Sequence, residues 1–340
     1  MLIPQKPKAS KGQSLPAPVP LPIILDLDLS TFRVNFQQEV SQTIVFTIQE
    51  QIILTLGSLL VITGKPKARK STYLHTFLGS AIKGESVWGI KATLPEERKK
   101  VVLIDTEQSL YDLHTSVKRM SRNFGIDLSG NFFTVYTARA LEVASIMTLI
   151  ETICKNNPDC SLIAVDGLVD LVNDINDVRE SKSSVNFLKN IADSYNVAIL
   201  GVLHQNKATN FSLGHLGSFL SRFAQSELSV VKNEDGSSTL ESTFLRSADS
   251  IEPITIGWDK ANERYDTLES LSLGALRHSE SSILEEIFNG KLALSYKELT
   301  TRAKTVIPET GYYIEKKLIP YWYDTGLLKK VSGLVQFNPV

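Results

Sequence analysis

At 340 residues the chain exceeds one ordinary domain, which favours a large core with an appended module. Hydrophobic residues at 42% and charged residues at 21% are ordinary for a globular protein. The formal net charge of −1 excludes a globally basic nucleic-acid binder and leaves room for local basic loops.

Met1 to Pro22 is rich in Pro, Lys, Ser and Gln, without an apolar signal segment, and residues 1–30 read as a flexible arm. Gln42–Ile48 and Gln51–Leu56 alternate polar and apolar residues around Gln49-Glu50 and predict a hairpin. Leu59–Thr63 is a β-branched and aliphatic run, read as a buried strand, and Tyr73–Ile82 has helical spacing. Trp88–Lys100 reads as a polar connector. Val101–Asp105 is a continuous apolar run closed by an acid, with Thr106, Glu107 and Gln108 behind it. Helices over Ser109–Phe124, Leu141–Cys154 and Ser183–Tyr195 alternate with strands over Phe132–Tyr136, Ser161–Val165 and Val197–Leu203. That alternation predicts an α/β fold with a parallel sheet, whose chemistry lies at the carboxyl ends of its strands.

Leu216–Phe223 reads as a helix. Glu227–Val231, Thr239–Leu245 and Ile254–Trp258 read as antiparallel strands extending the sheet. The main domain is expected over 31–262, a linker over 263–278 and a small domain over 279–340. In the last, Ile283–Phe288, Tyr296–Ala303 and Tyr312–Tyr323 have helical spacing. Leu327-Leu328 and Leu334–Phe337 flank a Ser332-Gly333 turn. Three short helices and a hairpin are the layout of a winged helix-turn-helix. Cys154 and Cys160 have no histidine at metal-ligand spacing and read as small buried hydrophobes of a cytoplasmic protein. No apolar run reaches transmembrane length, so no membrane partner is expected.

The chemistry centres on Gly64, Lys65, Pro66, Lys67, Ala68, Arg69, Lys70, Ser71 and Thr72. The phosphate-binding loop G-x-x-x-x-G-K-[ST] sits between a strand and a helix, where backbone N–H groups and the helix dipole hold phosphate oxygens. This stretch keeps the first Gly, the Lys and the Ser, and places Arg69 where the second Gly belongs. Lys70 would reach terminal phosphates and Ser71 would ligate Mg²⁺; a basic turn before a helix is the alternative. Asp166, closing an apolar strand, suits the second carboxylate of a Mg²⁺ site, although acids after strands also serve as turn or cap residues. Glu107 suits water activation, and Gln205 suits sensing of a γ-phosphate through its amide.

The order GKPKARKS at Gly64, VVLIDTEQS at Val101, SLIAVDG at Ser161 and GVLHQNK at Gly201 resembles the RecA-like ATPase superfamily over roughly Gly57 to Asp259. Within it, the RepA-type hexameric replicative helicases and the DnaB and RadA/KaiC groups are the most similar. The resemblance implies a RecA-like, mostly parallel sheet with helices on both faces, ATP and Mg²⁺ as ligands, and a ring or filament of identical subunits, with a hexamer as one form. It implies Glu107 as catalytic base, Asp166 as the strand-end aspartate, and His204-Gln205 as the polar end of the next strand. Two DNA-facing loops would fall at Asn173–Ser184 and Lys207–Gly217, with Arg179, Lys182 and Lys207 as their basic residues. An arginine finger acting on the neighbouring subunit maps onto Arg246.

The leading expectation is an ATP-hydrolysing motor that works on single-stranded DNA in its channel, as a helicase for replication or mobilisation of a plasmid or transposon. A nucleotide-switched DNA-binding regulator, a recombinase-like mediator without unwinding activity, and a structural protein with a degenerate loop are the rivals. Lys297, Arg302, Lys304, Lys316 and Lys317 in the C-terminal region would hold duplex DNA through its phosphates, or form a solvated helix face.

Overall fold

The computed structural model describes residues 30, 33–39, 41–205, 214–260, 262–268, 280–307, 311 and 314–338. The chain divides into Met1–Ser41 and Gln42–Val340. In the first unit, 33–39 is turn and irregular backbone, and the arm expected over 1–30 lies outside the described residues apart from residue 30.

Among the described residues of the second unit, twelve strands precede the C-terminal module. They are β1 (Ile44–Ile48), β2 (Gln51–Thr55), β3 (Leu59–Gly64), β4 (Ile90–Ala92), β5 (Lys100–Asp105), β6 (Phe133–Thr137), β7 (Cys160–Asp166), β8 (Ala198–His204), β9 (Ser226–Lys232), β10 (Ser238–Leu245), β11 (Ile254–Asp259) and β12 (Arg264–Thr267). Five α-helices lie among them in the described residues: α1 (Lys70–Lys83), α2 (Leu110–Phe124), α3 (Val143–Asn156), α4 (Val178–Tyr195) and α5 (Gly214–Phe223). Nine strands form one sheet in the order β12-β11-β10-β9-β3-β8-β7-β5-β6. From β9 to β6 the pairing is parallel, and from β9 out to β12 it is antiparallel.

The parallel strands are apolar on both faces because helices cover both. Successive side chains point to opposite sides. Leu60, Ile62, Leu103, Ala164, Leu200 and Val202 therefore enter one core with α1, α2 and the small sheet β2-β1-β4. Val61, Ile104, Ile163, Val165, Ile199 and Leu203 enter a second core with α3, α4 and α5. Each such Val, Leu or Ile side chain, fully buried, stabilises the fold by about 1.5–3 kcal/mol.

The hairpin β1–β2 turns through Gln49 and Glu50 at φ 52° and 63°, the left-handed pair that matches strand twist. Three expectations need correction. Trp88–Lys100 holds a strand, β4, which pairs with β1 through Phe46 and Ala92; with three residues it is too short for a periodic signal. β9 lies parallel to β3, because the chain crosses over through α5 before returning to the sheet. The expected linker begins with β12, whose Tyr265 pairs with Trp258, so the sheet runs to Thr267; residues 269–278 lie outside the described residues.

The C-terminal module has its own core. Helix α6 spans 280–288 and α7 spans Tyr296–Val306; a π-helical turn over Ile314–Leu318 leads into α8 (Ile319–Asp324). Strands β13 (Leu328–Val331) and β14 (Leu334–Phe337) form a hairpin that turns through Ser332 and Gly333, φ 51° and 81°. Leu284, Ile287, Leu299, Trp322 and Val335 fill the centre. Ser295 and Glu298 form a capping box that starts α7. Among the described residues no helix is long and apolar enough to cross a membrane.

Candidate active site

Strand β3 ends at Gly64, and the loop Lys65–Arg69 leads straight into α1. A Cβ on Gly64 would lie 2.6 Å from the Val230 carbonyl of β9, so only glycine lets the loop leave the sheet there. Arg69, in place of the second loop glycine, takes φ 74°, the conformation glycine would adopt freely. A side chain there costs about 1–2 kcal/mol. The guanidinium offsets this by turning out of the loop. It donates to the Tyr265 hydroxyl at 3.0 Å, the Ser238 hydroxyl at 3.0 Å and the Gly236 carbonyl. It also lies 4.7 Å from the Tyr265 ring centre, as a cation–π contact.

Lys70, the next residue, points the other way and is 5% exposed. Its ammonium donates to the carbonyls of Gly64 at 2.9 Å and Lys65 at 3.0 Å, and meets His204 Nδ1 at 3.0 Å. Burial holds its pKa below the ordinary lysine value, while the charges of Glu107 and Asp166 oppose that shift.

Two carboxylates, Glu107 and Asp166, act on this ammonium from the ends of β5 and β7, and Asp105 lies beside Asp166. Asp105 and Asp166 are cross-strand partners. Asp105 is fully buried and accepts from the backbone N–H groups of Glu107, 3.1 Å, and Gln108, 2.7 Å. This fixes the turn that carries Glu107. Asp166 is pushed up to about 7, chiefly by burial, with the charges of Asp105 and Glu107 adding to it. The Ser71 hydroxyl bonds to Asp166 and opposes the shift, as does Lys70. Glu107 Oε1 lies 3.1 Å from His204 Nε2, and that bond holds its carboxyl below the usual range. Thr106 donates to the carbonyls of Asp166 and Gly167, locking the two strand ends together. Gly167 has φ 114°, and a Cβ on it would lie 2.0 Å from the Thr106 hydroxyl, so no other residue fits after Asp166.

Among the described residues no group of three or more His, Cys, Asp and Glu makes a metal cage. The Ser71–Asp166 pair is instead a small set of hard oxygens beside a phosphate loop. That fits Mg²⁺, which takes few protein ligands and fills its shell with phosphate and water.

The other expected site residues fall elsewhere. Gln205 points to the opposite face of β8 from His204, as neighbours on a strand must. Its amide donates to the Thr63 hydroxyl at 3.2 Å, and it borders a cleft of about 370 Å³ with Lys65, Pro66 and Lys232. It does not meet Lys70 or Glu107. Arg246 follows β10, which runs antiparallel to β9, and so sits at the amino ends of the parallel strands. Its guanidinium donates to the carbonyls of Ala224 and Arg222, closing the end of α5. Within its own subunit Arg246 is thus bonded at the end of the sheet away from Lys70. The loop expected over Asn173–Ser184 ends at Asp177, which caps α4, so Arg179 and Lys182 stand exposed on the first turns of that helix. Asp170, Asp174, Asp177 and Glu180 outnumber them there. Lys207 lies outside the described residues.

Sequence reading named His204 only together with Gln205 as the polar end of a strand, gave the γ-phosphate role to Gln205, and gave Asp105 no role. The signal for His204 was the side-chain alternation of β8: residues 200, 202 and 204 share the face on which α1 and Lys70 lie. Asp105 read as the plain end of an apolar run, although an aspartate two residues before a polar turn is a recurrent backbone anchor.

Comparison with curated proteins gives no match. Residues 41–210, half of the chain, match the family described as AAA domain, and the match spans β1 to β8, with the phosphate loop, both acidic strand ends and His204. The chain therefore belongs to the AAA domain family, and its core is a P-loop ATPase-like domain with a RecA-like fold.

Proposed function

We propose that the protein hydrolyses ATP and couples hydrolysis to work on DNA, as a helicase-type motor. The observation that carries the reading is the convergence of Lys70 and Ser71, on the first turn of α1, with Asp166 and Glu107, at the ends of the neighbouring strands β7 and β5. Backbone N–H groups of Lys67, Arg69 and Lys70 and the dipole of α1 would hold the phosphates, and the Lys70 side chain would neutralise their charge. Ser71 and Asp166 would hold Mg²⁺, which when bound draws charge from the β- and γ-phosphate oxygens. Glu107, kept ionised by its bond to His204, would take the proton of the attacking water as its oxygen approaches the γ-phosphorus and the bond to the leaving oxygen opens.

The DNA part rests on the family and on the C-terminal module. We read that module as a winged helix-turn-helix domain over 279–340, with α8 and the hairpin β13–β14 as its DNA-facing parts. Lys316, Lys317, Lys329 and Lys330 are exposed there. Lys304 is bridged to Glu315 and Arg302 donates to the carbonyls of Ile287 and Phe288, so neither is a free phosphate contact. That exposed set also favours the second reading, a DNA-binding regulator switched by nucleotide. ATP turnover by the full chain, with single-stranded DNA, with duplex and with neither, separates them. Turnover raised by single strands supports the motor. Duplex binding with turnover indifferent to DNA supports the regulator. No turnover under any condition overturns both as hydrolysing machines. Assembly into a ring or filament belongs to the same proposal, and mass determination with and without ATP tests it.

A further inference from the structure

Every proton of the Lys70 ammonium is already spent. It has three donors and no acceptor, and three acceptors surround it: the carbonyls of Gly64 and Lys65, and Nδ1 of His204. An ammonium only donates, so Nδ1 must be the bare nitrogen of the ring. The proton of a neutral imidazole then sits on Nε2, which donates to Glu107 Oε1 at 3.1 Å. The ring is thereby oriented from both sides, between the residue that meets phosphate and the residue that activates water.

We infer that His204 is a positioning residue that couples the two: its neutral, Nε2-protonated ring fixes the Glu107 carboxylate and competes with phosphate for Lys70. The inference rests on the ATP-hydrolysing reading above and deepens it. A phosphate oxygen obtains a proton from Lys70 only by displacing one of the three acceptors. Two are backbone carbonyls fixed by the loop, and the third is a side chain. When His204 yields Lys70, Nε2 keeps its bond to Glu107, so the carboxylate stays aimed while the ammonium moves to phosphate. Removing the ring should therefore act with opposite signs on binding and on turnover. A direct phosphate contact would weaken binding when lost, and a merely structural residue would weaken both.

A glutamine amide can replace the ring, since its oxygen accepts from Lys70 while its N–H donates to Glu107. The test uses full-length wild type, His204→Ala and His204→Gln, with equilibrium binding of a non-hydrolysable ATP analogue, steady-state turnover, and thermal melting to check folding. His204→Ala should bind the analogue about two- to tenfold more tightly, the worth of one competing hydrogen bond. It should turn over about ten- to a hundredfold more slowly, the cost of a misaimed catalytic group. His204→Gln should return both toward wild type. Unchanged or weaker binding by His204→Ala, with a wild type that binds, overturns the coupling alone, and so does failure of His204→Gln to restore turnover. A wild type that binds no nucleotide overturns the hydrolytic reading and the coupling with it. If His204→Ala does not fold, nitrogen chemical shifts of the wild-type ring decide: a proton on Nε2 and a bare Nδ1 support the coupling, and the reverse tautomer overturns it.

Discussion

The two ends of the parallel strands use charge in opposite ways. At the amino ends, guanidinium groups are spent on main-chain carbonyls. Arg98 donates to the carbonyls of Cys160, Tyr195 and Asn196, and Arg246 to those of Ala224 and Arg222. Those cations close strand and helix ends. At the carboxyl ends, Lys70, Asp105 and Asp166 are buried with the more exposed Glu107 beside them, and Asp166 and Lys70 both have pKa values moved toward neutrality. Mutual unease of this kind is a poor way to hold a sheet together and a good way to receive Mg²⁺ and phosphate. Substitutions at the carboxyl ends should therefore cost activity more than stability, and those at the amino ends the reverse.

The largest effect is expected at Glu107. Glu107→Gln keeps the hydrogen bond to His204 and loses the base, so steady-state ATP turnover should fall at least about a hundredfold. Turnover at the parent rate would break the contrast between the two ends. Asp166 should show both signs. Asp166→Asn removes a buried carboxylate, so the protein at pH 8 should become more stable by roughly 1–4 kcal/mol in denaturant titration while turnover falls. A loss of stability in that variant would show that the aspartate holds the fold rather than a ligand.

The acid limb of the stability profile sharpens the same point. Asp166 titrates near 7 when folded, against an ordinary value of 3.8, so its stabilising share is fullest below about pH 4 and is lost as pH rises through about 7. His75, buried in α1, is lowered to about 4 from 6.5 by burial, with Arg119 adding to it. Its neutral ring stabilises the fold above about pH 6.5, and that share is lost as pH falls toward 4. The two oppose each other over one pH range. His75→Phe should flatten the acid loss in melting curves and Asp166→Asn should deepen it; both shifting the same way would contradict these assignments.

The double core was legible in the sequence, because parallel strands apolar on both faces read as continuous runs. The phosphate loop was legible from Gly64, Lys70 and Ser71 alone. What the sequence hid was direction. His204 and Gln205 are adjacent polar residues at one strand end, and only the strand's alternation decides which one meets Lys70. Arg246 was taken for a working residue because a late strand ends at it, but β10 runs antiparallel and carries it to the far end of the sheet. Arg69 read as a departure from the loop pattern. Its left-handed backbone and three side-chain bonds form a substitute for glycine that no pattern of spacing records.

Smaller effects follow from these two arginines. Arg69→Ala keeps the unfavourable φ and loses the bonds that offset it, whereas Arg69→Gly loses the bonds and the strain together. The alanine variant should therefore be about 1–2 kcal/mol less stable than the glycine variant in denaturant titration. Equal stability would mean the backbone there is not strained. Arg246→Ala should cost about 1 kcal/mol of stability and leave turnover within about twofold of wild type. A stable Arg246→Ala protein that has lost hydrolysis would restore the finger role, acting on a neighbouring subunit.

ATP binding at equilibrium, compared between Lys70→Ala and Glu107→Gln in the presence of Mg²⁺, tests the carboxyl-end site most directly. Lys70→Ala should bind at least about tenfold more weakly than wild type, because a charged phosphate contact is gone. Glu107→Gln should bind within about threefold of wild type, because its role begins only when water attacks. If Lys70→Ala binds ATP as tightly as wild type, the loop from Gly64 to Ser71 does not hold phosphate, and the site must be sought elsewhere in the fold.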